Sequence, residues 1–220
     1  ISVTIADMLG RTPRIDTSWR HLDRWIEELD RDEGSTRVNN PSPRDPILFF
    51  AIYPHWIDYS LAIATLLVGR GVPVDFWWQG EMTPLAERPA PARETFWRRH
   101  ARRHNRTARH SRLSLSNLDQ VAPVEATDLM RSCAEQQARI DVSYLLLKER
   151  IDIDGDPRDR MVFEERKKRN LDVLCRIAAA YGRRTYSRIL LGSGGVLEFG
   201  SVYRYFQALG AQVTTFESVD

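Results

Sequence analysis

Four glycines lie in the segment GSGGVLEFG, residues 192–200, which follows the apolar run RILL. A glycine-rich turn between a strand and a helix can bring backbone N–H groups close to a phosphate or a sugar hydroxyl. The spacing does not match the dinucleotide-binding fingerprint, and no Lys-Ser/Thr pair follows as in a P-loop. Two interpretations remain. Gly194 and Gly195 contact a small ligand through their backbone amides, or the glycines form only a tight corner with positive φ.

Glu198 follows this turn and is expected in the first turn of a helix. A carboxylate at that position is stabilised by the helix dipole, which explains the residue without any function. The alternative is a direct role in catalysis or ligand binding.

A second candidate site is the segment YPHW, residues 53–56, which follows the apolar run ILFFAI. His55 is the candidate base, since imidazole titrates closest to neutral pH. Tyr53 and Trp56 are candidate substrate contacts, and Trp56 and Tyr59 could stack on a ring. The alternative is that His55 is structural and the aromatic side chains belong to the core.

The segment 93–112 is strongly basic, with eight arginines, three histidines and one glutamate. Clustered arginine binds phosphate well, so this pattern predicts an anion-binding helix that lines a cleft or faces anionic lipid. Nucleic acid is the less favoured partner, because no helix-turn-helix, RNA-binding or zinc-finger pattern accompanies the cluster. The anion-binding candidates are Arg98, Arg99, Arg102, Arg103 and Arg106.

No metal site is expected. His100 and His104 share a helix face at a metal-binding spacing, but the surrounding arginines would repel a cation. The segment DIDGDPRD, residues 152–159, resembles the start of a calcium loop, yet the glutamate at the twelfth position is missing. We interpret it as a turn between two helices, and FEERKKRN, residues 163–170, as a solvated helix face.

The composition is that of a folded chain: 220 residues, 42% apolar, with a net charge of +2. Such a chain can bury a core and is not a disordered tail. Its two cysteines lie far apart, which suits a reducing compartment and argues against a disulfide or zinc framework; we expect both to be buried. No run approaches the ~20 apolar residues that cross a bilayer, and no signal peptide is evident. We expect a cytoplasmic protein, with the inner membrane face as an alternative location.

Hydrophobic periodicity divides the chain into two parts. In residues 1–45, the pattern of apolar residues predicts a leader followed by one amphipathic helix at residues 18–34. From residue 46, apolar runs alternate with helical patterns; the runs are ILFFAI, VPVDFWW, RLSLSNL, RILL and QVTTF. We therefore predict an α/β fold for residues 46–220, with a Rossmann-like, doubly wound, mostly parallel sheet. Two long helical patterns, 123–150 and 157–182, form a helical insertion at about 123–182.

Two segments of this domain, ILFFAIYPHWIDYSLAIATLLVGRGVPVDFWWQ and RILLGSGGVLEFGSVYRYFQALGAQVTTFE, cover about 65 residues. Together they resemble the N-terminal half of bacterial GT-B glycosyltransferases of the capsule and surface-polysaccharide type. The shared element is a strand, a glycine-rich turn, the motif E-F-G-x-x-Y and a strand ending in Thr-x-Glu. The resemblance implies one half of a GT-B architecture, with a donor-binding domain that would follow Asp220 and is absent here. It implies catalytic roles for His55 and Glu198, and substrate contacts by Tyr53, Trp56, Gly194, Gly195 and Glu217.

The resemblance thus predicts the acceptor-side domain of a metal-independent glycosyltransferase, which moves a sugar from a nucleotide-sugar donor to a glycan or lipid-linked acceptor. No cofactor is expected, because no Asp-x-Asp metal motif lies at a credible place; the one at residues 152–154 is between long helices, far from a strand end. The chain alone should be inactive, since one wall of a cleft cannot enclose donor and acceptor. The alternative is a non-enzymatic module that binds nucleic acid or an anionic surface through the basic segment, including Arg109. A sugar-nucleotide enzyme acting alone is disfavoured by the glycine spacing.

Overall fold

The computed structural model describes residues 45–79, 112–182 and 184–216. The amphipathic helix expected at 18–34 and the basic helix expected within 91–110 lie outside these ranges. None of the described helices combines the length and the apolar composition needed to cross a membrane. In chain order the elements are β1 (Ile47–Ile52), α1 (Pro54–Gly69), β2 (Val74–Gln79), β3 (Leu113–Asn117), a 3-10 turn (Leu118–Gln120), α2 (Asp128–Leu146), α3 (Pro157–Tyr181), β4 (Arg188–Leu191), α4 (Leu197–Ala208) and β5 (Val213–Thr215).

The five described strands form one parallel sheet in the order β3-β2-β1-β4-β5. The chain moves outward from β1 in one direction through β2 and β3, and in the other through β4 and β5. This is the doubly wound order of Rossmann-like folds. The prediction of an α/β domain with a parallel sheet is confirmed, and each of the five predicted strands is present.

β1 is buried on both faces, as its uninterrupted apolar sequence predicts. Leu48, Phe50 and Ile52 point into a core shared with α2, α3 and α4. Phe49 and Ala51 point into a second core shared with α1. Helices therefore cover both faces of the sheet. Right-handed crossovers require this arrangement, because the chain moves in opposite directions on the two sides of β1.

α2 and α3 form the connection from β3 to β4. They pack on the sheet through an apolar surface that includes Cys133, Ala134, Leu174 and Ile177. The predicted helical insertion is thus the layer that covers one face of the sheet. This arrangement brings both helices next to α4, and the candidate site depends on that proximity.

The turn between α2 and α3 carries the carboxylates that resembled a calcium loop. Asp156 accepts hydrogen bonds from the backbone N–H groups of Arg158 and Asp159, and so caps α3. Lys148 Nζ lies 2.7 Å from Asp156 Oδ2 and 2.5 Å from Asp159 Oδ1. These carboxylates are paired with an ammonium group, and the prediction of a helix-connecting turn is confirmed.

Leu147 follows α2 in the left-handed region, with φ of 53°, and its side chain is 78% exposed. Glycine adopts this conformation without a steric cost. We expect Leu147→Gly to exceed Leu147→Ala in free energy of unfolding by roughly 0.5–1 kcal/mol, because alanine keeps the strained Cβ. Chemical denaturation of the two variants measures the difference. Equal stabilities would show that the left-handed conformation costs nothing here.

Candidate functional site

The two turns singled out in the sequence lie side by side at the carboxyl end of the parallel sheet. β1 pairs with β4, with Phe50 opposite Leu191, and both strands run in the same direction. Segments 53–56 and 192–196 therefore leave the sheet next to each other. α1 begins within the first segment and α4 directly after the second. The strand order also reverses between β1 and β4, and open α/β sheets bind ligands at this point.

The backbone is strained at both turns. Tyr53, between β1 and α1, has φ of 63° and ψ of 140°. Leu197, the first residue of α4, has φ of 52°. Positive φ is uncommon for residues other than glycine and costs about 1–3 kcal/mol at each position. Such conformations persist only where the surrounding structure fixes them.

The glycines after β4 are needed mainly for space. A Cβ added at Gly192 would lie 2.5 Å from the Trp56 ring, and one at Gly194 would lie 2.8 Å from Thr215 Cγ2. Neither glycine has positive φ, nor does Gly195, so the interpretation of these glycines as a positive-φ corner is wrong. Gly195 differs from the other two, since a Cβ there would meet nothing within 4 Å. Packing therefore does not explain the glycine at this position.

A fully buried ion cluster supports both turns; we call it the Arg166 cluster. It consists of Arg166 on α3, Asp141 on α2 and Glu198 on α4, each with 0% exposure, together with Tyr53. Arg166 Nε donates to Asp141 Oδ2 at 3.0 Å. Arg166 Nη1 and Glu198 Oε1 form an ion pair at 2.7 Å, although the N–H is not aligned for a hydrogen bond. The Tyr53 hydroxyl donates to Glu198 Oε2 at 2.5 Å, so the cluster joins the end of β1 to three helices.

Both carboxylate oxygens of Asp141 accept two hydrogen bonds. Oδ1 accepts from Gln137 Nε2 at 2.9 Å and from the backbone N–H of Leu197 at 2.8 Å. Oδ2 accepts from Arg166 Nε and Asn170 Nδ2, both at 3.0 Å. The bond to Leu197 caps α4 from a neighbouring helix, since the N-cap residue of α4 makes no side-chain cap bond. It also holds Leu197 in its strained conformation.

The cluster contains two carboxylates and one guanidinium, and carries one excess negative charge when all are ionised. Burial by itself raises the pKa of Glu198, but the adjacent charge of Arg166 and the hydrogen bond from Tyr53 bring that pKa below its ordinary value. Burial and the Glu198 carboxylate raise the pKa of the Tyr53 hydroxyl well above its ordinary value. Burial alone would lower the pKa of Arg166, but the charges of Glu198 and Asp141 raise it. At neutral pH Glu198 is therefore ionised and Tyr53 protonated.

Gln137 connects the Arg166 cluster to the glycine turn. Its Nε2 donates to the Gly195 carbonyl at 3.1 Å as well as to Asp141, and its Oε1 accepts from Arg204 Nε at 3.3 Å. A Cβ added at Gly200 would lie 2.1 Å from Gln137 Oε1. The glycine of the E-F-G motif therefore leaves the space through which Gln137 reaches the turn.

The predicted site residues occupy different environments. Glu198 has no exposed surface and Tyr53 is 8% exposed, and their polar groups bond to each other. Trp56 and Gly194 are half-buried, while Gly195 is exposed. The remaining candidates lie outside the described residues: the side chain of His55, Glu217, and the arginines Arg98, Arg99, Arg102, Arg103, Arg106 and Arg109.

Sequence reasoning missed Arg166, Asp141 and Gln137. The interpretation of FEERKKRN as a solvated face is wrong for Arg166, which is fully buried. The helical spacing carried a signal, because Arg166 and Asn170 share a face of α3 with buried apolar residues, namely Val162, Val173 and Ile177. A charged residue within an apolar stripe indicates a buried partner.

Within the described ranges, no three His, Cys, Asp or Glu side chains come together as potential metal ligands. His100 and His104 lie outside those ranges. Cys133 and Cys175 are free and buried, which confirms the prediction made for both.

Removing the charge of Arg166 should destabilise the fold. Arg166→Met leaves the Asp141 and Glu198 carboxylates buried without a counter-charge, and we expect the free energy of unfolding to fall by about 3–5 kcal/mol. Lys168→Met is the matched control, since Lys168 is exposed on the same helix and should change stability by less than about 0.5 kcal/mol. Urea denaturation measures both variants. Similar small losses in the two would mean that the cluster contributes little.

The cluster also predicts a dependence of stability on acid pH. The pKa of Glu198 is lower in the folded protein than its ordinary value of 4.5, so the unfolded state takes up the proton first as pH falls. Ionised Glu198 thus stabilises the fold fully above that value and progressively less below it. We expect the stability difference between wild type and Glu198→Gln to shrink as pH falls below 4.5. Denaturation at a series of pH values tests this, and a difference that stays constant would contradict an ionised Glu198.

Comparison of the chain with models of protein families, with curated proteins and with solved structures finds no match. A function for this protein must therefore be inferred from its own geometry and chemistry.

Proposed function

We propose that this chain is the acceptor-side domain of a metal-independent glycosyltransferase, which positions a glycan or lipid-linked acceptor for transfer from a nucleotide-sugar donor. One observation carries the proposal. β1 and β4, between which the strand order reverses, end side by side in turns that lead into α1 and α4. Ligands of open parallel sheets bind in this crevice. We assign the donor chiefly to a second domain, because one wall cannot enclose both substrates.

The charge at the N-terminus of α4 favours a neutral, hydroxyl-bearing ligand over a phosphate. A free helix N-terminus attracts phosphate. Here the Leu197 N–H already donates to the Asp141 carboxylate at 2.8 Å, and Glu198 adds a second carboxylate in the first turn. A phosphate would therefore find this N–H already bonded and two carboxylates beside the helix N-terminus. Sugar hydroxyls are uncharged and bond to backbone amides and carbonyls, so the turn suits an acceptor better than the diphosphate of a donor.

The residues of the two turns have separate roles in this proposal. Gly195 is exposed and has open space at the position of a Cβ, so a ligand can approach its backbone closely. Glu198 is a positioning residue, because it is fully buried and bonds to Tyr53 and Arg166. His55 lies in the first turn of α1. It is our candidate for the base that takes the proton from the acceptor hydroxyl.

Gly195→Ala tests the proposal, because it adds bulk where no protein atom lies within 4 Å. We expect an unchanged thermal midpoint and a transfer rate lowered by at least about tenfold, since the added methyl displaces the acceptor from its reactive position. Gly182→Ala is the matched control. Gly182 follows α3, on the amino-terminal side of the sheet, and its Cβ would lie 3.7 Å from its nearest neighbour.

Transfer is measured with the complete gene product, using radiolabelled UDP-glucose, UDP-galactose and GDP-mannose with isolated glycan and lipid-linked acceptors. Full activity in Gly182→Ala and loss in Gly195→Ala is the expected result. Equal rates in the two variants would remove the glycine turn from the site. The absence of transfer from all three donors would count against a glycosyltransferase.

A further inference from the structure

Three aromatic side chains form a cluster beside the glycine turn; we call it the aromatic platform. Trp56 and Tyr59 belong to the first two turns of α1, and Phe216 directly follows β5. The ring centroids are 6.3 Å apart for Trp56 and Tyr59, 6.0 Å for Trp56 and Phe216, and 5.8 Å for Tyr59 and Phe216. Each ring therefore contacts the other two.

The platform is held in place by the elements of the candidate site. The Trp56 ring occupies the space where a Cβ of residue 192 would lie, so Gly192 lets it pack directly on the turn. It also packs edge-to-face on Phe199 of α4, with centroids 5.8 Å apart. The backbone N–H of Phe216 donates to the carbonyl of Leu191 at 3.0 Å. The rings are thus positioned before any ligand arrives.

The platform is partly open to solvent and adjoins polar backbone. Tyr59 is 44% exposed, while Trp56 and Phe216 are half-buried. Thr215, next to Phe216, lies so close to Gly194 that an added Cβ would be 2.8 Å from its methyl group. An apolar surface and the hydrogen-bonding groups of the turn are therefore neighbours. Small-molecule sites commonly have this composition, with an apolar wall and a few fixed polar groups.

We propose that the exposed Tyr59 ring of the aromatic platform, whose three rings are tilted by 49–70° to one another, stacks against the apolar face of a neutral hexopyranose ring of the acceptor. The inference rests on the proposed function and names the part of the substrate that this surface holds. A pyranose ring presents C–H groups on its faces and hydroxyls at its rim. Aromatic faces carry partial negative charge and attract such C–H groups, while the rim hydroxyls reach the backbone of the turn. The sugar is uncharged because the Leu197 N–H at the adjoining helix N-terminus already donates to the Asp141 carboxylate and offers no site for an anion.

Tyr59 is the residue to change, because it is the most exposed member of the platform. We expect Tyr59→Ala to weaken sugar binding by about tenfold and Tyr59→Phe, which keeps the ring face, to bind nearly as well as wild type. Leu66→Ala is the matched control. Leu66 is also an exposed apolar residue of α1, with 55% exposure, but lies seven residues further along the helix. Its removal should leave binding unchanged.

Binding is measured directly by saturation-transfer NMR on the complete protein. The probes are methyl β-D-glucopyranoside, methyl β-D-galactopyranoside and methyl α-D-mannopyranoside. We expect saturation of the ring C–H protons of at least one probe, lost in Tyr59→Ala and kept in Tyr59→Phe and Leu66→Ala. Failure of all three probes to bind, or equal binding in the three variants, would overturn the proposal.

Kinetics separate this proposal from the proposed function. Tyr59→Ala should raise the KM for the acceptor with little change in kcat, since stacking is present in ground and transition states alike. Suppose that Gly195→Ala loses transfer while Tyr59→Ala has an unchanged acceptor KM. That result would contradict the role of the aromatic platform but remain consistent with the proposed function. Tyr59-dependent binding of a probe without any transfer would support the platform and overturn the transferase. A change in oligomeric state in Tyr59→Ala without a change in probe binding would identify the surface as a protein contact and overturn the sugar site.

Discussion

The ion pair between Arg166 and Glu198 holds the carboxyl end of this sheet together, because α2, α3, α4 and the end of β1 all meet at it. Burying one guanidinium and two carboxylates carries a large desolvation cost, which is offset only when every charge has partners. Asp141 meets this condition with two hydrogen bonds to each oxygen. The cluster also contacts both strained residues, since Tyr53 donates to Glu198 and Leu197 donates to Asp141. The conformations of the two turns therefore follow from the partners that the buried carboxylates require.

The same cluster limits what the neighbouring surface can bind. A helix N-terminus at a strand-order reversal is an ordinary place for a phosphate. Two carboxylates from the protein already lie at the N-terminus of α4, and the ligand proposed for this surface is therefore uncharged. The four glycines of residues 192–200 fall into two groups according to what lies beside them. Gly192, Gly194 and Gly200 make room for protein side chains, whereas Gly195 faces open space. Only the last is available to a ligand without competition from packing.

The opposite end of the sheet is held by a different ionic contact. Asp75 on β2 is 4% exposed and accepts from Arg184 Nη1 at 2.8 and 2.6 Å and from the Tyr186 hydroxyl at 2.9 Å. Burial and the Asp75 carboxylate raise the pKa of Tyr186. This contact spans β1, because Arg184 and Tyr186 precede β4 while Asp75 belongs to the strand on the other side. The central strand is thus bordered by buried carboxylates at both ends.

The sequence alone was enough to predict the five strands and the parallel α/β class, since apolar runs and their spacing report directly on burial and chain direction. It also identified residues 192–200 as unusual. The reasons for those glycines came from tertiary contacts, because the atoms that need the space belong to Trp56, Thr215 and Gln137, distant in the chain. The sequence predicted a solvated Arg166 because the neighbouring charged residues on α3 do face water. Arg166 differs from them only in its position, which lies on the apolar face of the helix. Glu198 could not be fully interpreted from the sequence either, because its residue type and helix position are local properties. The burial and the ion pair that set its charge and role depend on how α2, α3 and α4 pack.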